Sequence, residues 1–218
     1  MRGQPETRRR GRPGGSQGAD LLAVARSVFL EHGFAKTTMD TVAARARISK
    51  ASLYQAHPSK DALFAATVLD WAARGRGAMR PYLDLLLAAE HMPTALTQFA
   101  RTVQDAVLSP DVLRMRRLVA AEATRFPEVA TSYVAQSWDR NIADLGDAFA
   151  ELDRRGLIRA GDPLVAAQQF TWLAVAAPLN DQTLSGRDAP PEADRLDAIA
   201  RAAVDTFLAR YGDAVPRR

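Results

Sequence analysis

The 218-residue chain has no cysteine. That excludes disulfide staples, thiolate metal ligands and a cysteine nucleophile, and it favours a reducing compartment, the cytosol, over an extracellular scaffold. Histidine is scarce too: His32, His57 and His91 sit in three separate segments with no i, i+4 pairing, so no metal is expected. Long apolar runs are missing. The stretch Phe170 to Leu179 stops short of the about 18–20 residues a membrane helix needs and runs into Pro178 and Asn180. No membrane partner is expected. The opening MRGQPETRRRGRPGGSQG has arginines with no apolar stretch behind them, so it is not expected to act as a secretion signal. Its glycines follow no strand and contain no G-x-x-x-x-G-K-[ST], which makes a flexible linker rather than a phosphate loop. Carboxylates lie among arginines, as at Asp139, Arg140 and Asp144, in the manner of solvated helix faces. No acid–base pair stands out, and neither an enzyme nor a cofactor is expected.

With 47% hydrophobic residues the chain is long enough to bury a real core. Its charge is uneven: residues 1–60 hold 11 Lys and Arg against 4 Asp and Glu, while the other 158 hold 18 against 21. The basic end is the candidate polyanion binder, although solvated tails share that composition.

Strand-like alternation is scarce, and apolar residues recur at spacings of three and four between Pro and Gly punctuation, which predicts an all-α protein. Leu21, Leu22, Ala25, Val28 and Phe29 form one face of a first helix, ended by His32 and Gly33. Thr37, Thr38 and Asp40 are cap candidates for a short helix over about 38–45, and Ser49 caps another over about 50–56. Ser59 opens a long helix expected to reach into the eighties, with a kink or break at Pro81. Beyond it, Pro93, Pro110, Pro127, Gly156 with Gly161 and Pro163, and Pro190 with Pro191 mark about five helical blocks. The segment 184–191 reads as a loop and 213–218 as a fraying tail.

Two short helices joined by a tight turn have the dimensions of a helix-turn-helix whose second member enters the DNA major groove. That second helix starts Ser49, Lys50, Ala51, Ser52, small and polar where base edges and phosphates would be met. Val42, Ala43, Ala46, Ile48 and Leu53 supply apolar positions to hold the pair together. The run FLEHGFAKTTMDTVAARARISKASLYQAHPSKDALF resembles the DNA-binding segment of the TetR family of regulators, over residues 19–66. The resemblance implies a three-helix DNA-binding domain followed by a larger helical domain for effector binding and dimerisation, here 67–212, with 1–18 as a basic arm.

Carried over by position, the resemblance implies that Thr38 anchors a phosphate, that Lys50, Ala51 and Ser52 face the groove, and that Tyr54 and Lys60 hold the backbone; Thr37 and Ser49 join this set at the helix starts. The chain departs from the pattern at two places. Arg47 stands where a turn glycine is usual, so it either accepts a left-handed backbone at about 1 kcal/mol or adds a phosphate contact. Ala56 stands where a His is common, and His57 either replaces that phosphate ligand or fills the space of a missing aromatic. Arg8, Arg9, Arg10 and Arg12 form an arm that either follows the minor groove or stays a solvated tail.

The run RLVAAEATRFPEVATSYVAQ is similar to the effector domain of a TetR subgroup related to AefR. Residues able to line an effector cavity are Trp71, Phe99, Val103, Met115, Leu118, Glu122, Tyr133, Trp138 and Phe170; plain core packing explains each of them as well. The last two blocks are apolar on more than one face, and in the resembling family the equivalent helices pair about a two-fold axis. Phe170, Trp172, Leu173, Ala176, Leu196, Ile199, Ala203 and Phe207 are the interface candidates. The expectation is a homodimeric repressor released from a palindromic duplex operator by a small, mostly apolar effector. A sequence-tolerant architectural DNA binder is the alternative.

Overall fold

The computed structural model describes residues 18–185 and 191–212. Readings that fall on the basic arm, on positions 186–190 of the loop and on the 213–218 tail lie outside the described residues. Every named element among the described residues is helical, with one isolated bridge between Ile158 and Gly212. The chain divides into two compact units between Thr67 and Val68.

The first unit holds α1 (Gly18–Lys36), α2 (Met39–Ala46), α3 (Lys50–Ala56) and the start of α4 (Lys60–Arg74). Regular α1 geometry fails at Gly33, whose φ of 71° is a conformation that L side chains resist. Thr38 caps α2 by accepting the Thr41 N–H at 3.1 Å, Ser49 caps α3 through the Ser52 N–H at 3.0 Å, and Ser59 caps α4 through the Ala62 N–H at 3.0 Å. Three hydroxyls thereby set three helix starts at their predicted places. Phe29, Phe34 and Phe64 form the core, with Phe64 edge-on to the other two at 5.4 and 5.2 Å.

In the second unit α4 does not reach the eighties. It stops at Arg74; Gly75, Arg76 and Gly77 follow in a turn, with Gly77 at φ 74°, and α5 (Arg80–Ala88) starts anew. Pro81 is therefore in the first turn of a helix, where its missing N–H costs nothing, and the break belongs to the glycines upstream. Next come α6 (Met92–Val107), α7 (Pro110–Glu122), α8 (Pro127–Val134), a π-helical turn (Ala135–Asp139), α9 (Arg140–Arg154), α10 (Pro163–Ser185) and α11 (Ala193–Tyr211).

Helices α6, α9, α10 and α11 share one core. Its centre is aromatic: Phe170 meets Phe149 at 5.8 Å and Phe207 at 5.2 Å, both edge-on. This corrects half of the interface expectation. Phe170, Leu196, Ala203 and Phe207 are buried inside the subunit, so no partner can reach them. The apolar residues α10 leaves exposed are Leu164, Val165, Trp172, Leu173, Ala176, Ala177 and Leu184, with Ile199 half-buried on α11. A helix apolar nearly all round divides its residues this way once one side has a core to enter.

Pro178 lies inside α10 without ending it. Its ring removes the N–H that would have served the carbonyl of Ala174, four residues back. Gln104 of α6, fully buried, donates its Nε2 to that carbonyl at 3.0 Å and to the carbonyl of Leu196 in α11 at 3.1 Å. One side chain closes the defect and ties three helices together.

Candidate functional site

In the first unit the exposed surface of α3 presents Lys50, Ala51, Ser52 and Tyr54, and Gln55, which the sequence reading passed over, is exposed beside them. Behind them Leu53 is fully buried with Val42, Ala43 and Ala46 of α2, which fixes which way the polar side faces. Lys50 Nζ lies 2.6 Å from Asp40 Oδ2, so the α2 carboxylate holds the ammonium. Arg45 of α2 pairs with Glu31 of α1, and that contact holds the Glu31 carboxyl below its usual range. Arg47 takes the left-handed conformation, φ 56° and ψ 37°, with its side chain exposed. The strained alternative is thus realised, and the guanidinium stands outward in the turn between the two helices.

Two of the phosphate candidates have work elsewhere. Thr37 is buried, and its hydroxyl donates to the Gly33 carbonyl at 2.7 Å where α1 breaks, so it is not available to DNA. Lys60 Nζ donates to the carbonyls of Phe34 at 3.0 Å and Ala35 at 3.3 Å and sits 4.3 Å from the Phe34 ring centroid, tying the start of α4 to the end of α1. Only the third ammonium proton remains for a phosphate. His57 is the C-cap of α3 and half-buried, and burial lowers its pKa. Arg8, Arg9, Arg10 and Arg12 lie outside the described residues.

The second unit holds a partly open cavity of about 380 Å³. Of the predicted lining residues, Trp71, Phe99, Val103, Tyr133 and Trp138 lie on its wall, while Met115, Leu118, Glu122 and Phe170 do not. Met115 and Leu118 are buried in packing, and Val112 is the residue α7 contributes. Phe170 is taken by the aromatic cluster, and its neighbour Thr171 reaches the wall instead. Met79, Leu83, Ser137, Asn141, Ile142 and Leu145 also line it, and no sequence signal singled them out. Several of these come from the run through the π-turn, whose wider helix brings Ser137 and Trp138 to the wall together. The Ser137 hydroxyl donates to the Tyr133 carbonyl at 2.6 Å, satisfying backbone where the ladder loosens. Trp138 stacks on Trp172 of α10, centroids 5.2 Å apart, and the Arg116 guanidinium is 5.4 Å from the Trp138 centroid.

A capped helix-turn-helix in one unit and a helical second unit with an apolar cavity are the architecture of a transcriptional regulator. Residues 21–67 match the model of bacterial regulatory proteins of the tetR family, and residues 94–213 match the C-terminal domain of AefR-like transcriptional repressors. The chain belongs to the TetR family. A TetR-family regulator from Mesorhizobium loti superimposes with a TM-score of 0.83 at 29% identity, covering 88% of this chain and 95% of that one. The flavonoid-responsive regulator FrrA gives 0.69 at 28% identity, over 91% of this chain and 96% of its own. HTH-type regulators of uncharacterised role from Mycobacterium bovis and Mycobacterium tuberculosis are each 36% identical over 90 residues, 39% of this chain and 44% of theirs. The chain thus matches less than half the length of these curated relatives.

Proposed function

We propose that the protein is a cytoplasmic repressor that binds a palindromic operator as a homodimer and is released by a small, mostly apolar ligand in the second-unit cavity. The observation that carries this reading is the pairing, in one chain, of an exposed Lys50–Ala51–Ser52–Tyr54 surface on α3 with an apolar cavity of about 380 Å³. Ser52 and Lys50 suit base edges and phosphates, Tyr54 and Thr38 suit backbone oxygens, and Arg47 adds a cation in the turn. The exposed Trp172, Leu173 and Ala176 of α10 supply an apolar surface for a second copy. A dimer would present two recognition helices about 34–36 Å apart, matching successive major grooves.

Helix α4 carries residues of both units, from Lys60 to Trp71 at the cavity wall. A ligand binding one arrangement of that helix better than another shifts the equilibrium by its differential affinity, about 1–3 kcal/mol in most such couplings. The structural likeness to a flavonoid-responsive regulator supports a small-molecule effector.

Selection of bound sequences from random duplex DNA tests the reading, with Tyr54→Ala as the comparison. The expected result is an inverted-repeat motif, bound at least tenfold more weakly by the variant. Recovery of sequences without dyad symmetry would refute dimeric operator recognition. A steep salt dependence with no preference among duplexes would favour the architectural alternative.

A further inference from the structure

Tyr133 is 5% exposed and lies on the cavity wall, yet its hydroxyl makes no hydrogen bond to any described residue. The hydroxyl oxygen opens onto the cavity and is not sealed in packing, so an acceptor bound there can reach it. Burial pushes the Tyr133 hydroxyl above the usual phenol range, with the charge of Arg116 pulling the other way. The group therefore stays protonated and serves as a donor.

The remaining wall constrains what that partner is. Trp71, Phe99 and Trp138 join Tyr133 as aromatic surface. Among the described residues no carboxylate lines the cavity, so a buried cation would lack a counter-charge there, and Arg116 beside the Trp138 ring opposes one. Arg74, the one charged residue on the wall among the described residues, has its Nε 2.6 Å from Asp70 Oδ2. A carboxylate ligand would have to compete with that pair and would be desolvated against rings.

We infer that the cavity takes a neutral, flat aromatic ligand bearing a carbonyl or ether oxygen, which accepts a hydrogen bond from the Tyr133 hydroxyl. This rests on the cavity being the effector site, and it narrows the effector from "mostly apolar" to a class. Tyr133 is then a specificity-determining residue. It rejects ligands of the same shape that lack the oxygen, because they cover its hydroxyl, cut it off from water and leave it unpaired.

Calorimetric titration of the full-length protein with five probes tests the class: acetylnaphthalene, ethylnaphthalene, naphthoate, naphthylmethylammonium and decanone. Acetylnaphthalene is expected to bind at least about tenfold tighter than either ion and several-fold tighter than decanone and ethylnaphthalene. Tyr133→Phe, with unchanged helical melting, should lower acetylnaphthalene affinity roughly three- to tenfold and leave ethylnaphthalene unaffected. An ion or decanone binding as tightly as acetylnaphthalene overturns the class. So does an equal loss for both aromatics in the variant, or no binding by any probe. Operator release is read separately: saturation by acetylnaphthalene with DNA still held would refute the effector reading while leaving the ligand class standing.

Discussion

Replacing Gln104 by Leu removes two buried donors at once, and the two losses are unequal. The Leu196 carbonyl lies inside α11 and keeps a ladder donor four residues on, so losing its second bond costs about 0.5–1.5 kcal/mol. The Ala174 carbonyl has no helical donor because position 178 is proline, so it becomes an orphan in the core at about 1–3 kcal/mol. Gln104 Oε1 has no partner in the native structure, and removing it returns about 1 kcal/mol. The net expectation is a loss of about 2 kcal/mol. Urea unfolding followed by circular dichroism, at fixed protein concentration, should show a midpoint lowered by about 1 M for an m-value near 2 kcal/mol/M. The decisive measurement is the double-mutant cycle with Pro178→Ala. Alanine restores the N–H that Ala174 lacks, so Gln104→Leu should cost about 1–2 kcal/mol less in that background. Additive effects, with coupling below about 0.3 kcal/mol, would refute the idea that Gln104 repairs the proline defect.

Three further outcomes follow from the geometry. Arg47→Gly should stabilise the protein by about 1 kcal/mol in chemical denaturation, since φ 56° strains any residue with a Cβ, and on the DNA reading it should weaken operator binding and reduce its salt slope by about one charge. His57 has its pKa lowered by burial, so its contribution to stability is complete above the ordinary histidine value of 6.5 and is lost as pH falls through the lower folded-state value. His57→Asn should flatten the pH dependence of the melting temperature in that acid window, and an unchanged profile would show that burial of the imidazole does not matter. Trp172→Glu with Leu173→Glu, both on exposed positions, should shift sedimentation towards monomer with little loss of helix; a protein monomeric before substitution would remove that surface from the dimer proposal.

The helix-turn-helix was legible because its signals are local. Thr38, Ser49 and Ser59 cap helices through N–H groups within three residues, and Gly33 breaks α1 through its own φ. Such preferences act over a few bonds and survive any tertiary arrangement. Arg47 was legible as a point of strain for the same reason. The cavity was half legible: aromatic residues at helical spacing marked Trp71, Phe99, Tyr133 and Trp138, but the same spacing marked Phe170, Met115 and Leu118, which the core absorbs.

What the sequence alone determined was therefore the helical class, the caps, the short paired helices and the DNA-binding family pattern, since each depends on neighbours within a turn or two of chain. The tertiary structure decided which apolar face of α10 enters the core, that Lys60 turns to the end of α1, that Pro178 is tolerated because Gln104 arrives from α6, and that the π-turn opens onto the cavity. Periodicity states that a helix has a face to bury. It carries no information about which of several partners, distant in sequence, will meet that face, because burial free energy is non-directional and is realised only when the elements pack.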